Sequence, residues 1–227
     1  MRLSLPDVTL VAIDQGPVAE LQELAVRDCL AVADFAAVIR DVGPIDNVLA
    51  WDRASWYDVP PLVKTTHYLM IQWDSWIINP AAWSDEFLGY DYIGAPWWYG
   101  DGRNVGNAGF SLRSTRLGHY LADNRDKFPL LQLPIDDRIC RLYRPLMRGD
   151  LLWAPDDVAW RFARERTGWE RPQPSFGFHG LWNFPRVLDL ARLGERIALF
   201  NDYVTSRVEY PQMLAVMMGL AGRRLPV

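Results

Sequence analysis

The chain has 227 residues, half of them hydrophobic, enough for one α/β domain with a sizeable core. A formal net charge of −4 excludes a general basic field for holding nucleic acid, though not a local basic groove. The only two cysteines, Cys29 and Cys140, exclude a disulfide framework and a cysteine zinc site, and they read as thiols of a reducing compartment.

The apolar run that follows Met1–Pro6 is about seven residues long, too short to span a membrane and without the layout of a signal peptide. A cytoplasmic protein is expected. Val8–Asp14 reads as a buried parallel strand ending in an acid, Pro17–Leu30 as a helix, and Phe35–Arg40 as a second strand. Together they form a βαβ unit, whose ligands bind beyond the C-terminal strand ends. Ala54–Thr66 predicts a helix broken near Pro60 and Pro61. Tyr68–Ile71 is a short buried strand leading into Gln72, Trp73 and Asp74, and Trp76–Asn79 continues apolar until Pro80.

Tyr92–Ala95 and Phe110–Arg113 predict further strands, and Leu117–Asn124 and Asp136–Leu146 predict helices. Leu151–Ala154 reads as a strand and Asp156–Arg166 as a helix with acids in its first turn. Leu188–Leu199 and Pro211–Leu220 complete the helices, a C-terminal extension beginning at about 184. No internal repeat or low-complexity linker divides the chain, so residues 1–227 read as a single domain. Of the 11 Trp, most are expected in the core and a few beside a cleft, where indole stacks on sugar or base.

Four segments could carry chemistry. Asp74 sits at a strand end, where a carboxylate can hold a divalent cation against a diphosphate, or cap a turn. In Val105–Ser114, Gly106 and Gly109 bracket Asn107 and Ala108 and open a strand at Phe110. A phosphate loop runs from strand to helix, so this one suits a loop packed beside a sugar, or a hairpin turn. Asp136 and Asp137 open a helix, where acids are stabilised by unpaired N–H groups. Neighbouring helical residues diverge by about 100°, so one of the two faces a substrate and can accept a hydroxyl proton. His179, between glycines and aromatics in Phe176–Gly180, is a candidate metal ligand. His67 and His119 read as structural.

These segments in this order, HYLMIQWDSWIINPAAW (His67–Trp83), YDYIGAPWW (Tyr90–Trp98), GNAGFSLRS (Gly106–Ser114), Asp136-Asp137 and FGFHG (Phe176–Gly180), resemble the bacterial family DUF5672, which is similar to GT-A glycosyltransferases. The resemblance runs from about Val8 to Asn183. It implies a GT-A-like α/β fold with a central, mostly parallel mixed sheet flanked by helices. It implies a glycosyltransferase that uses a nucleotide-sugar donor, with a UDP-sugar favoured, and a Mn²⁺ or Mg²⁺ cofactor.

In that family pattern an acid-x-acid motif ends a strand and binds the metal and diphosphate. Here Gln72 replaces the first acid, so Asp74 alone carries over, with His179 completing the metal site. The resemblance further implies donor contacts at Asp14, Gln72 and Trp73, and a donor or acceptor loop at Gly106, Asn107, Ala108, Gly109 and Phe110. It assigns Asp137 as the base with Asp136 beside it, and an acceptor wall at Trp97, Trp98 and Tyr99, with at least one of these in the core. Inversion at the anomeric carbon is expected.

Two other function classes fit the same residues: a glycoside hydrolase using paired acids such as Asp74 and Asp137, and a non-catalytic carbohydrate-binding protein with a Trp-rich surface. The acceptor is a glycan, a lipid, a protein, a small molecule or a modified base. The apolar stretch MLAVMMGLAG before Arg223 and Arg224 docks on the core, pairs two subunits, or touches the inner membrane face.

Overall fold

The computed structural model describes residues 2–129, 134–166, 170–206, 217 and 219. Its strands are β1 (Leu3–Val11), β2 (Ala33–Ile39), β3 (His67–Ile71), β4 (Ser75–Ile77), β5 (Tyr92–Gly94), β6 (Phe110–Ser114), β7 (Ala163–Arg164) and β8 (Gly177–His179). Its helices are α1 (Ala19–Val32), α2 (Val48–Arg53), α3 (Thr115–Asp123), α4 (Ile135–Asp137), α5 (Asp156–Phe162), α6 (Phe184–Val187), α7 (Leu190–Ile197) and α8 (Asp202–Ser206).

The central sheet has five strands in the order β2-β1-β3-β6-β5. β1 lies parallel to both β2 and β3, and β6 runs antiparallel to both β3 and β5. The sheet is mixed and mostly parallel, as expected: β2, β1, β3 and β5 run one way and β6 alone runs against them. Every residue of β3 is buried, which is why that strand reads as an unbroken apolar run. α1 buries Leu21, Ala25, Val26 and Cys29 along one face at helical spacing. α3 begins where the Ser114 Oγ accepts the Leu117 N–H at 3.0 Å, an N-cap.

A second, three-stranded sheet, β4-β8-β7, positions the site. β3 turns through Gln72, Trp73 and Asp74 directly into β4, and β8 pairs antiparallel with β4 so that Ser75 faces His179. Two residues distant in sequence, Asp74 and His179, are thereby brought side by side. β7 lies parallel to β8 on its other edge.

Several boundaries differ from the sequence reading. β1 starts at Leu3 and stops at Val11, leaving Asp14 in the following turn. The Ala54–Thr66 helix begins earlier, at Val48, and passes through a π-helical turn at Ala54–Asp58 before Pro60. The helix opened by Asp136 becomes π-helical over Arg138–Tyr143. Leu151–Ala154 is not a strand; only Trp153 forms an isolated bridge, to Tyr92. α5 ends at Phe162, not Arg166, because Ala163 turns extended to pair with β8. Pro211–Leu220 lies outside the described residues except at Met217 and Gly219, both helical.

The core is rich in large side chains, as the Trp content implies. Trp56 stacks on Tyr92, and the buried Arg113 guanidinium lies 3.9 Å over the Trp56 ring. Buried ion pairs join Arg138 to Asp52 and Arg196 to Asp28. The first ties the π-helical segment carrying Arg138 to the end of α2. No helix among the described residues is long and apolar enough to cross a membrane.

Candidate functional site

The imidazole of His179, at the end of β8, is the centre of the site. Its Nε2 lies 3.4 Å from Asp74 Oδ1 and 3.2 Å from Gln72 Oε1. Its Nδ1 lies 3.2 Å from Glu165 Oε1 and 2.8 Å from Asn107 Nδ2. A protonated Nδ1 donates to Glu165, whereas a bare Nδ1 accepts from the Asn107 amide. Burial alone would lower the ring's pKa, but the flanking Asp74 and Glu165 carboxylates outweigh it and hold His179 well above the usual histidine value.

Each neighbour is fixed by local structure. Asp74 Oδ2 accepts the Leu181 N–H at 3.2 Å, and the Asp74 carbonyl accepts the Gly180 N–H at 3.1 Å. Oδ1 is left towards the ring. Asn107 is the one non-glycine residue at positive φ (67°) among the described residues. That conformation lets its Oδ1 accept the Phe110 N–H at 3.1 Å while its Nδ2 reaches His179. Tyr92 Oη donates to the Asn107 carbonyl at 2.6 Å, holding the loop on β5.

Gly109 is required by proximity. A Cβ there would lie 2.2 Å from His179 Nε2 and 2.6 Å from Gln72 Oε1. Its carbonyl accepts the Gln72 N–H at 2.9 Å and the Ser75 hydroxyl at 2.7 Å, which clamps the loop to the end of β3. Gly106 makes room in the same way for the Trp97 ring, 1.9 Å from where a Cβ would stand. Ala108 and Phe110 are buried between these two contacts.

Two more carboxylates, Asp14 and Asp136, feel the charge of this centre. Asp14 Oδ2 accepts the Trp73 N–H at 2.9 Å, so the turn after β1 is tied to the turn after β3. Burial, reinforced by Asp74 against that hydrogen bond, pushes the Asp14 carboxyl up to about 7. Asp136 is pushed up to about 6 by burial and then by the charges of Glu165 and Asp137, with His179 close enough to oppose them. Asp137 is raised by burial, and the charge acting on it is Arg141, on the outer side of the segment. Of the adjacent acids, Asp136 feels the charge of His179, and Asp137 that of Arg141.

Glu165 was not legible as a site residue. It falls within the expected Asp156–Arg166 helix, but that helix stops at Phe162, and Glu165 follows β7 to reach His179. Asn183, fully buried, donates to the carbonyls of Glu165 and His179 at 2.9 and 2.8 Å and locks the two together.

Trp97 is core, 8% exposed, whereas Trp98 is 57% exposed and Tyr99 44%. The Arg166 guanidinium lies 5.1 Å over Trp182 and 5.8 Å over Trp98, and Trp182 meets the His179 ring edge-on at 6.4 Å. An aromatic surface therefore runs outward from the imidazole.

His179 Nε2, Asp74 Oδ1 and Gln72 Oε1 are the atoms that could hold a cation. The imidazole carries a carboxylate on its far nitrogen, the arrangement that orients metal-binding histidines. Among the described residues no group of three or more His, Cys, Asp or Glu side chains forms a metal site. The set is open: one carboxylate, one imidazole and one amide oxygen. That donor chemistry fits Mg²⁺ or Mn²⁺, which bind through one or two carboxylates and take further oxygens from a substrate phosphate.

A family profile, DUF5672 (protein of unknown function), matches residues 54–179, which carry Gln72, Asp74, the Gly106–Phe110 loop, Asp136, Glu165 and His179. The fold is similar to that of a glycosyltransferase involved in the glycosylation of the major capsid of PBCV-1. The TM-score is 0.52 at 10% sequence identity, over 79% of this chain and 92% of that one. No curated protein matches the chain.

Proposed function

The chain belongs to the DUF5672 family, and from that premise we propose that it is a glycosyltransferase transferring a sugar from a nucleotide-sugar donor to a hydroxyl acceptor. One observation carries the reading. His179 Nε2, Asp74 Oδ1 and Gln72 Oε1 converge where β3 and β8 end, with Asp136 in their field. The fold shared with a glycosyltransferase supports it.

In this reading Asp74, His179 and Gln72 hold Mn²⁺ or Mg²⁺, which supplies Lewis-acid stabilisation of the departing diphosphate when bound. Asp14 and Trp73, at the neighbouring strand ends, wall the donor, whose nucleotide is uridine. The Gly106–Phe110 loop, closed over His179, sets the depth to which the donor sugar enters. Asp136 takes the proton of the attacking hydroxyl. The new C–O bond forms at the anomeric carbon as the bond to the diphosphate breaks, its electron pair leaving on the phosphate oxygen, and the configuration inverts. A carboxyl held near 6 ionises at neutral pH and remains a competent base.

Trp98 and Tyr99 offer exposed rings for an acceptor glycan. A cytoplasmic setting would supply such a donor. Pairing of two subunits through the C-terminal helix falls outside the described residues.

The test is donor turnover. Purified protein with a panel of UDP- and GDP-sugars and Mn²⁺ should release nucleoside diphosphate slowly, water replacing the acceptor, for one donor of the panel. Asp136→Asn should abolish this release while leaving donor binding in place. Release from no donor, by folded protein that also binds glycan, would favour the non-catalytic carbohydrate-binding alternative.

A further inference from the structure

A cavity of about 280 Å³ lies beside α5 and β7, lined by Asp157, Trp160, Arg161, Arg164, Arg171 and Gln173. Arg164 lines it, while the next residue, Glu165, bonds His179. The cavity and the imidazole site are thus served by neighbouring residues of one segment but share no lining residue. None of the cavity's residues enters the proposed transfer reaction.

Its chemistry is lopsided. Three guanidinium groups face one carboxylate, Asp157. The Arg161 charge is met from outside the cavity by Glu86 at 2.7 Å. Arg164 is only 6% exposed and donates to the carbonyls of Gln173 and, at 3.2 Å, Arg171. Those bonds brace the segment 171–173 against β7 and hold the buried cation at the cavity wall. Burial draws the Arg164 guanidinium below its usual pKa, with Glu170 opposing and Arg171 adding to the effect, so a further negative charge between the two guanidinium groups would be stabilising there. The Arg171 guanidinium is stacked 4.6 Å over the Trp160 ring, which fixes the plane of its donors. Planar guanidinium forks match oxyanions bidentately, and a sugar ring would lie on the indole face opposite the one that Arg171 covers.

We propose that this cavity is a second binding site, separate from the transfer site, for a small sugar bearing an oxyanion, a phosphate ester or a carboxylate, held by Arg164 and Arg171 with its ring against Trp160. The volume is near the lower end of small-ligand pockets and suits one charged monosaccharide, not a whole nucleotide-sugar. The site stands on its own residues and does not depend on the glycosyltransferase reading.

The test is a titration of the intact protein, followed by NMR or calorimetry, with glucose 6-phosphate, glucuronate, inorganic phosphate and neutral glucose. The two charged sugars should bind more tightly than phosphate, and glucose should not bind. Arg171 and Trp160 are not core residues, and Arg171→Ala and Trp160→Ala should keep the wild-type melting temperature. Arg171→Ala should weaken both charged sugars about tenfold or more, the loss of one charge-assisted contact. Trp160→Ala should weaken the sugars but not inorganic phosphate, and Asp74→Ala should change nothing. Equal binding of glucose and its phosphate, no binding of either charged sugar, or binding indifferent to Arg171 would overturn the proposal.

Discussion

Glu165 Oε1 lies 3.2 Å from Nδ1 of His179, on the side of the ring opposite Asp74. The imidazole is therefore held between two carboxylates, one on each nitrogen. With Glu165 taking the Nδ1 proton, an Nε2 that gave up its own proton to a cation would turn its lone pair towards Asp74 and Gln72. That geometry underlies the predictions for the site.

Replacing Gln72 by Glu restores a second acid at the strand end, 3.2 Å from His179 Nε2 in the present side-chain geometry. Cation affinity rises with the charge of the ligand set, so Gln72→Glu should tighten Mn²⁺ binding by about tenfold. Glu165→Ala should weaken it by about tenfold or more, and Glu165→Gln by less, since an amide oxygen still accepts the Nδ1 proton. Calorimetric Mn²⁺ titrations of the three variants check both statements. Equal affinities throughout would remove these residues from the cation site.

Gly109→Ala should act on the site more than on the fold. The added methyl would meet the imidazole and the Gln72 amide, and side chains yield more readily than backbone. A destabilisation of about 1–3 kcal/mol is expected, together with loss of cation binding. Denaturant unfolding with a Mn²⁺ titration separates the two effects. A variant that binds Mn²⁺ like the wild type would show that the loop does not set the imidazole.

Asn107 combines a left-handed backbone with two side-chain bonds. Asn107→Gly keeps the backbone comfortable and loses the bonds, whereas Asn107→Ala loses both. The alanine variant should be less stable than the glycine variant by about 1 kcal/mol. The reverse order in chemical denaturation would mean that the conformation is not retained in solution.

Much of the frame was legible because it is written locally. The unbroken apolar run of β3 and the Ser114 cap before α3 each carry their own signal. The errors lie where distant partners decide. Leu151–Ala154 has a strand's composition but finds only one bridging partner. Ala163 and Arg164 were expected to continue the helix, yet they pair with β8, and Glu165 just beyond them meets His179. The π-helical turn after Asp136 and Asp137 is anchored by the buried Arg138–Asp52 pair, a partner 86 positions away that no local pattern announces. Asp74, Asn107 and His179 were identifiable as candidates, but their meeting rests on the Ser75–His179 register of β4 and β8.

The carboxyl of Asp14 should couple stability to pH. Its folded value, about 7, lies above the ordinary aspartate value of 3.8, so the folded state holds the proton more tightly. The resulting stabilisation is full below about pH 4 and is lost as pH rises through about 7. Asp14→Asn keeps an oxygen for the Trp73 N–H and removes the charge. It should therefore stabilise the protein near pH 8, by on the order of 2 kcal/mol, and have little effect near pH 4. Thermal unfolding across this range is the check; a gain that does not vary with pH would contradict it.

The central claim is that Asp74 and His179 form a cation-dependent nucleotide site. It is tested most directly by titrating the full chain with UDP, with and without Mn²⁺, alongside Asp74→Ala. The account predicts UDP binding that requires Mn²⁺ and is lost in Asp74→Ala while the variant stays folded. UDP binding that ignores the cation, or that survives in Asp74→Ala unchanged, would contradict it.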